Sequence, residues 1–292
     1  MKKQIVVLGA FAMGFANAFA AAPAFDTLIS HRGESIDAPE NTFPACAMAV
    51  ERGFGFECDI YLSKDGRVFT FHDRNLSRTT GGANTNLCCD VTWEELSKLD
   101  VGNWGKWCNS NFKGTRPALL EEILTLARDG RRIYIEVKPG PEIVPFIKDV
   151  FAKQKKANPE NVLFISFNEE SCRELKKQMP QYKVYWLTSP WHHIPQGGRK
   201  SRSAQEIVAT LKDVGADGVD CCYDTNSVTA DYIKTVRDAG FEFHVWTLDN
   251  LALTIEAFYR GAQTVTTNCA KQQLDYWRLA EKMIEKQQNT PR

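Results

Sequence analysis

Two of the five histidines in this chain stand near a pair of carboxylates. The stretch from Ile29 to Asp73 carries His31 and His72, and between them Glu57-Cys58-Asp59. Further on, Tyr134-Ile135-Glu136-Val137-Lys138 adds a third carboxylate and a lysine. Three clustered carboxylates repel one another unless a cation holds them. An all-oxygen set suits one hard divalent ion, Mg²⁺ or Ca²⁺, before zinc. Imidazoles titrate near working pH, so His31 and His72 suit a general base and a general acid. Arg32 and Lys138 add positive charge that suits an anionic substrate such as a phosphodiester. A lone E-x-D or H-D is a weak, often structural signal, and the joint occurrence carries the reading.

Such residues need elements that bring them together. Strand side chains alternate between faces, so Glu57 and Asp59 point one way and Cys58 the other, and Glu136 and Lys138 likewise share a face. The β-branched and aromatic runs 27–30, 55–60, 68–71, 132–137, 162–166, 183–186, 217–220, 241–247 and 263–267 read as strands. Helical patterns fall between the later ones, at about 142–156, 169–178, 203–214, 229–239, 250–260 and 271–287, with stops at Gly215, Gly240 and Gly261. Alternation of this kind predicts an α/β single domain over residues 27–287, a (β/α)8 TIM barrel. Acids on the helix-packing face would be buried without water, so the lumen is their place. His31 ends the first strand, His72 ends Val68-Phe69-Thr70-Phe71, and the two carboxylate-bearing strands complete one rim at the C-terminal end of the barrel. Residues 74–116, rich in Gly, Asn and Trp, form a long irregular excursion expected near the active-site mouth.

Composition removes several classes. The 292 residues carry 36 basic and 36 acidic side chains, with no long run of either sign, which excludes nucleic-acid and anionic-surface binding. No GxGxxG follows the first strand and no GxxxxGK[ST] occurs, so nucleotide-binding folds lose their main support. The N-terminus has Lys2 and Lys3, then an uncharged apolar run and Ala18-Phe19-Ala20, the pattern of a signal peptide over residues 1–20, with cleavage as late as residue 22. An uncleaved anchor is the competing reading. Export would set the nine cysteines in an oxidising periplasmic or extracellular compartment. They show no CxxC or zinc spacing, and Cys108 with Cys88 or Cys89 is the expected bridge inside the excursion.

The motifs His31-Arg32-Gly33, Ala38-Pro39-Glu40-Asn41-Thr42, Glu57-x-Asp59, His72-Asp73, Glu136-x-Lys138 and Trp246-Thr247 together resemble the glycerophosphodiester phosphodiesterase family. Their order and spacing match it from residue 29 to about 250. The resemblance implies a TIM-barrel phosphodiesterase that releases sn-glycerol 3-phosphate and an alcohol from deacylated phospholipids. It implies Glu57, Asp59 and Glu136 as metal ligands and His31 and His72 as the acid–base pair. Arg32 and Lys138 would then face the phosphate and Trp246 the glycerol or headgroup, while Trp104 and Trp107 read as loop packing. The chain departs from the family at the last strand, where Thr266-Thr267-Asn268-Cys269 replaces a Thr-Asp-x-Pro-like run, leaving polar contacts from that strand unassigned.

The expected partner is a small glycerophosphodiester, with no nucleic acid and no stable membrane insertion once the leader is removed. Two readings compete. One is a phospholipase D-like enzyme acting on lysophospholipids or sphingolipids, which an apolar rim on the excursion would favour, but Gly82–Asn86 and Cys108–Lys113 are mainly polar. The other is a secreted binding protein without catalysis, against which the full set of acids and histidines speaks. A metal-dependent amidohydrolase would need H-x-H where His31-Arg32-Gly33 stands.

Overall fold

The computed structural model describes residues 27–194 and 197–288, and the expected leader lies outside the described residues. The strands are β1 (Leu28–Ser30), β2 (Gly55–Leu62), β3 (Val68–Thr70), β4 (Ile133–Val137), β5 (Val162–Ser166) and β6 (Lys183–Thr188). They continue as β7 (Trp191–His193), β8 (Arg199–Ser201), β9 (Gly218–Cys222), β10 (Glu242–Trp246) and β11 (Val265–Thr267). The helices are α1 (Phe43–Glu51), α2 (Trp93–Leu96), α3 (Leu120–Leu124), α4 (Val144–Lys153) and α5 (Glu169–Gln178). After them come α6 (Ala204–Val214), α7 (Ala230–Asp238), α8 (Leu251–Arg260) and α9 (Ala270–Gln288).

Eight of the strands are parallel neighbours in the order β1, β2, β4, β5, β6, β9, β10, β11, and β11 returns to β1. The ring is closed, a TIM barrel, with every edge paired. Strand alternation sorts the side chains. Phe56, Cys58, Ile60, Ile133, Ile135, Val137, Val219, Phe243 and Val245 face outward into the main core beneath the helices. Ile29, Tyr134, Leu163, Ile165, Tyr185 and Leu187 fill the lumen. The helices begin on caps that the local sequence supplies: Asn168 accepts from Ser171 N, Ser203 from Glu206 N, and Thr229 from Tyr232 N.

The floor of the lumen is polar. Tyr185 Oη donates to Glu242 Oε2 at 2.7 Å, and Lys183 also pairs with Glu242. The Tyr185 ring stacks on His244 at 4.3 Å, His244 Nδ1 lies 2.6 Å from Thr264 Oγ1, and Tyr134 Oη lies 3.0 Å from the same hydroxyl.

Two expectations are corrected. Val68–Thr70 is not a barrel stave: β3 runs antiparallel on the overhanging end of β2, with Ile60 opposite Thr70. Only five residues, Ser63 to Arg67, separate the two strands, too few for a parallel crossover. The second concerns sulfur, because all nine cysteines are free thiols. Cys88 is buried with its Sγ 3.3 Å from Asp73 O, whereas Cys108 is exposed and directed at Asn103 O. Cys88 belongs to the small core of the excursion, with Phe69, Phe71, Leu76, Val91, Leu96, Val101 and Leu119, so it packs inward rather than towards Cys108. That core also shows residues 74–116 to be a packed appendage, not a loose loop. The periodicity had not signalled α1, whose Phe-Pro-Ala-Cys-Ala-Met-Ala-Val run has almost no polar face.

Candidate active site

The register of two strands assembles the acids. Asp59 on β2 pairs with Glu136 on β4, and Glu57 stands two residues before Asp59 on the same lumen face. One carboxylate oxygen from each of Glu57, Asp59 and Glu136 lies within 4.8 Å of the others, and all three residues are buried. Glu57 Oε1 and Asp59 Oδ1 are buried without a hydrogen-bond partner. Oxygen atoms left open in this way, in an all-carboxylate set, fit a hard divalent cation.

The cluster is electrostatically strained without one. Burial, then the charges of Asp59 and Glu136, push Glu57 well above the usual carboxylate range. Burial, then Asp59, lift Glu136 to about 8. Asp59 is held low: burial works against it, but Lys138 and Arg32 outweigh that cost. Lys138 Nζ donates to Glu136 Oε1 at 2.7 Å and stands 3.3 Å from Asp59 Oδ1. Burial would lower its pKa, and the facing acids raise it instead, so the ammonium stays charged.

His31 follows β1 and is fixed by its backbone, since His31 N donates to Thr267 O of β11 at 2.8 Å. Its Nε2 is 3.9 Å from Glu57 Oε2, and its Nδ1 lies 2.7 Å from Asn268 Oδ1. Burial, then the charge of Arg32, lower its pKa to about 4, so the ring is neutral at pH 7. Arg32 and Gly33 then turn through the left-handed region, with φ of 58° and 74°. At Gly33 a Cβ would stand 2.5 Å from the Ala45 carbonyl carbon, so only glycine lets the turn lie against α1. The turn aims Arg32 N at Glu57 Oε2, 2.9 Å away, and leaves the guanidinium 3.4 Å from Asp59 and 2.9 Å from Glu40.

His72 arrives by a different route. Phe71 N donates to Asp59 O at 3.0 Å, so the hairpin β2–β3 folds His72 back to the level of the acids. Its Nδ1 lies 2.7 Å from Asp73 Oδ1. Arg78, from the excursion, donates to Asp73 Oδ2 at 2.7 Å and to both oxygens of Glu40 at 2.7 and 2.9 Å. Trp246 lies in the lumen wall, its Nε1 donating to Asp220 O at 3.1 Å and its ring edge-to-face with Phe167 at 5.6 Å. Trp107 instead packs on Phe112, and Trp104 under Arg78.

Every residue expected at the site is therefore on this rim. Sequence reasoning had not assigned Asn41, Asp73, Arg78, Asp249, Asn268 or Asp220. Asn41 grips Asp59 twice, Nδ2 to Oδ2 at 2.8 Å and Asp59 N to Oδ1 at 2.9 Å. Its place in Ala-Pro-Glu-Asn-Thr was the available signal. Asp220 is a lumen carboxyl, fully buried, raised to about 8 by burial and by Glu136.

Comparison with known proteins agrees with this geometry. The chain matches the glycerophosphoryl diester phosphodiesterase family profile over residues 31–272. It is similar to a glycerophosphodiester phosphodiesterase of Caldanaerobacter subterraneus subsp. tengcongensis, 38% identical over 175 residues, which cover 56% of this chain and 70% of that one. A glycerophosphodiester phosphodiesterase of Bacillus subtilis is 25% identical over 82% of each chain. Among solved structures, an Oleispira antarctica phosphodiesterase in complex with the product sn-glycerol-3-phosphate superposes with a TM-score of 0.70 at 25% identity, over 85% of this chain and 96% of that one. The family match runs from His31 past Asn268 and so takes in each residue of the rim, and the chain belongs to the glycerophosphoryl diester phosphodiesterase family of phosphoric diester hydrolases.

Proposed function

We propose that this enzyme hydrolyses glycerophosphodiesters to sn-glycerol 3-phosphate and an alcohol, using one divalent cation, Mg²⁺ or Ca²⁺, and the pair His31 and His72. The observation that carries the reading is the set of three buried carboxylates with two open oxygens, flanked by two imidazoles. The Oleispira antarctica relative, described with sn-glycerol-3-phosphate as its product, supports the choice of substrate. Glu57, Asp59 and Glu136 would hold the cation, which when bound would neutralise the acids and draw charge from a phosphoryl oxygen.

The chain's own groups then divide the proton work. His31, neutral at pH 7, takes the proton of the glycerol 2-hydroxyl at Nε2, and that oxygen attacks phosphorus. His72, its Nδ1 held by Asp73, gives a proton to the departing alkoxide, so an alcohol leaves and a cyclic phosphate remains. In the second half, His72 takes a proton from water as the water oxygen attacks phosphorus, and His31 returns its proton to the 2-oxygen. Both histidines end as they began. Arg32 and Lys138 offset charge on the non-bridging oxygens, and Trp246 walls the glycerol.

A second substrate class has a specific observation in its favour. Ile36, Phe167 and Ile194 are exposed apolar side chains on loops at the C-terminal face of the barrel. Lysophosphatidylcholine therefore belongs in the same test. Products from glycerophosphocholine, glycerophosphoethanolamine, glycerophosphoglycerol and lysophosphatidylcholine are identified with and without chelator. Release of sn-glycerol 3-phosphate that stops on chelation and returns with Mg²⁺ or Ca²⁺ is the expected result. Undiminished turnover in protein shown by elemental analysis to be metal-free would overturn the cation's role. The enzyme is further proposed to act outside the cytoplasm, on the strength of the signal-peptide pattern expected over residues 1–20.

A further inference from the structure

Three neighbouring strand ends, those of β10, β11 and β1, place Asp249, Asn268 and His31 in one hydrogen-bonded line. Asp249 Oδ2 accepts from Asn268 Nδ2 at 2.8 Å, while its Oδ1 accepts from Asn268 N at 2.8 Å and from Thr267 Oγ1 at 3.1 Å. Thr267 is itself held by Gln273 Nε2 at 2.9 Å, so the acceptor that starts the line is anchored to α9. An ionised carboxylate only accepts hydrogen bonds, so the Asn268 amide must point its NH₂ at Asp249. Its oxygen then has to face His31 Nδ1, 2.7 Å away. An amide oxygen has no proton to give, so Nδ1 must carry the hydrogen. The lone pair is thereby left on Nε2, the nitrogen on the side of the Glu57 carboxylate.

We propose that Asn268 is a positioning residue: held by Asp249, its amide oxygen fixes His31 in the Nδ1–H tautomer and keeps Nε2 as the free base. The role rests on the proposed use of His31 as the base and deepens it. The two histidines differ in this respect. His72 leans on a carboxylate, Asp73, whereas His31 leans on the neutral amide of Asn268, itself held by Asp249. Each imidazole thus has an oxygen acceptor at Nδ1, and a carboxylate at position 268 would keep the His31 tautomer.

The test uses the full chain loaded with Mg²⁺. Long-range ¹H–¹⁵N correlation spectra at neutral pH report the tautomer of each histidine, with His31→Ala assigning the signal. Asn268→Leu should move His31 from the Nδ1–H form towards the Nε2–H form that a free imidazole prefers. On glycerophosphocholine it should lower kcat by about 10–10²-fold, the usual loss for a residue that orients a working histidine, with KM unchanged. Asn268→Asp restores an acceptor at Nδ1 and should recover both the Nδ1–H signal and most of kcat. An Asn268→Leu protein that keeps the Nδ1–H form would overturn the inference alone. One that loses the tautomer yet keeps kcat would overturn it together with the assignment of His31 as base. If Asn268→Asp shows the loss of Asn268→Leu in both readouts, the residue acts by packing and the inference fails.

Discussion

Tyr185→Phe should weaken the protein without touching its chemistry. Tyr185 is fully buried in the lumen floor, at the opposite end of the strands from His31 and His72, and its hydroxyl donates to the Glu242 carboxylate at 2.7 Å. The substitution keeps the ring and its stack on His244 and deletes one charge-assisted hydrogen bond. Such a bond contributes about 1.5–3 kcal/mol when both groups are shielded. Glu242 is 24% exposed and keeps Lys183, so water recovers part of the loss, and about 1–2 kcal/mol is the expected cost. For a domain of this size that lowers Tm by about 2–8 °C. The pH dependence has a definite sign. Burial pushes the Glu242 pKa up, but the contacts with His244, Lys183 and Tyr185 together hold it well below the usual carboxylate range. A depressed folded-state pKa stabilises above the unfolded-state value and is lost as pH falls through the folded one. The Tm gap between parent and variant should therefore be full at pH 7 and narrow progressively below about pH 4.5. Calorimetric melts from pH 3 to 8, with kcat measured at pH 7, decide it. An unchanged Tm at pH 7, a gap that widens in acid, or a collapse of kcat would each refute the reasoning.

Three further outcomes are expected. His31→Ala and His72→Ala should each lower kcat by about 10²–10⁴-fold, and on an aryl diester with a good leaving group the His72 variant should recover much more than the His31 variant. Near-normal kcat in either would withdraw its role. Because burial and neighbouring charge raise Glu57 and lift Glu136 to about 8, cation binding at pH 7 should expel protons, and affinity should rise towards pH 8. Calorimetric titration with Mg²⁺ in two buffers of different ionisation heat should show that release, and identical apparent heats would refute it. Cys89 and Cys108 should react at once with a thiol reagent in the native protein and the six buried cysteines only after unfolding, and fewer than nine thiols in unreduced, unfolded protein would mean that a disulfide exists.

What was legible in the sequence was whatever follows from local period. β5 and α5 fall at the residues where alternation and the Asn168 cap place them, and period two alone sends Glu57, Asp59 and Glu136 to the lumen. What was not legible depends on partners far along the chain. The antiparallel course of β3 comes from a short turn and from its pairing on the overhang of β2, and the four-residue run Val68 to Phe71 cannot announce that. Arg78 reaches Glu40 across 38 residues, and Asn268 reaches His31 across 237. Neither neighbour is implied by the residues flanking it. The cysteines were misjudged for a related reason: a polar surrounding sequence suggested a bridge, while Cys88 belongs to a small core assembled from residues scattered between Phe69 and Leu119.

The hairpin that returns His72 has a consequence for how such an enzyme changes over time. The chain leaves the barrel wall after Leu62 and comes back at Leu119, and the two ends of the departure touch, since Thr70 N donates to Ala118 O and Phe69 bridges Leu119. In between lies a body with its own packed interior, joined to the rim through Arg78 on Glu40 and Lys106 on the Ile36 carbonyl. The barrel staves keep the acids and the proposed base, and this detachable piece carries the proposed acid with one wall of the entrance. Residues 79 to 115 lie apart from the strands that carry Glu57, Asp59 and Glu136, so insertion, deletion or exchange there leaves the acids where the staves put them. The three acids and the proposed base are thus fixed by one part of the chain, and the proposed acid by another.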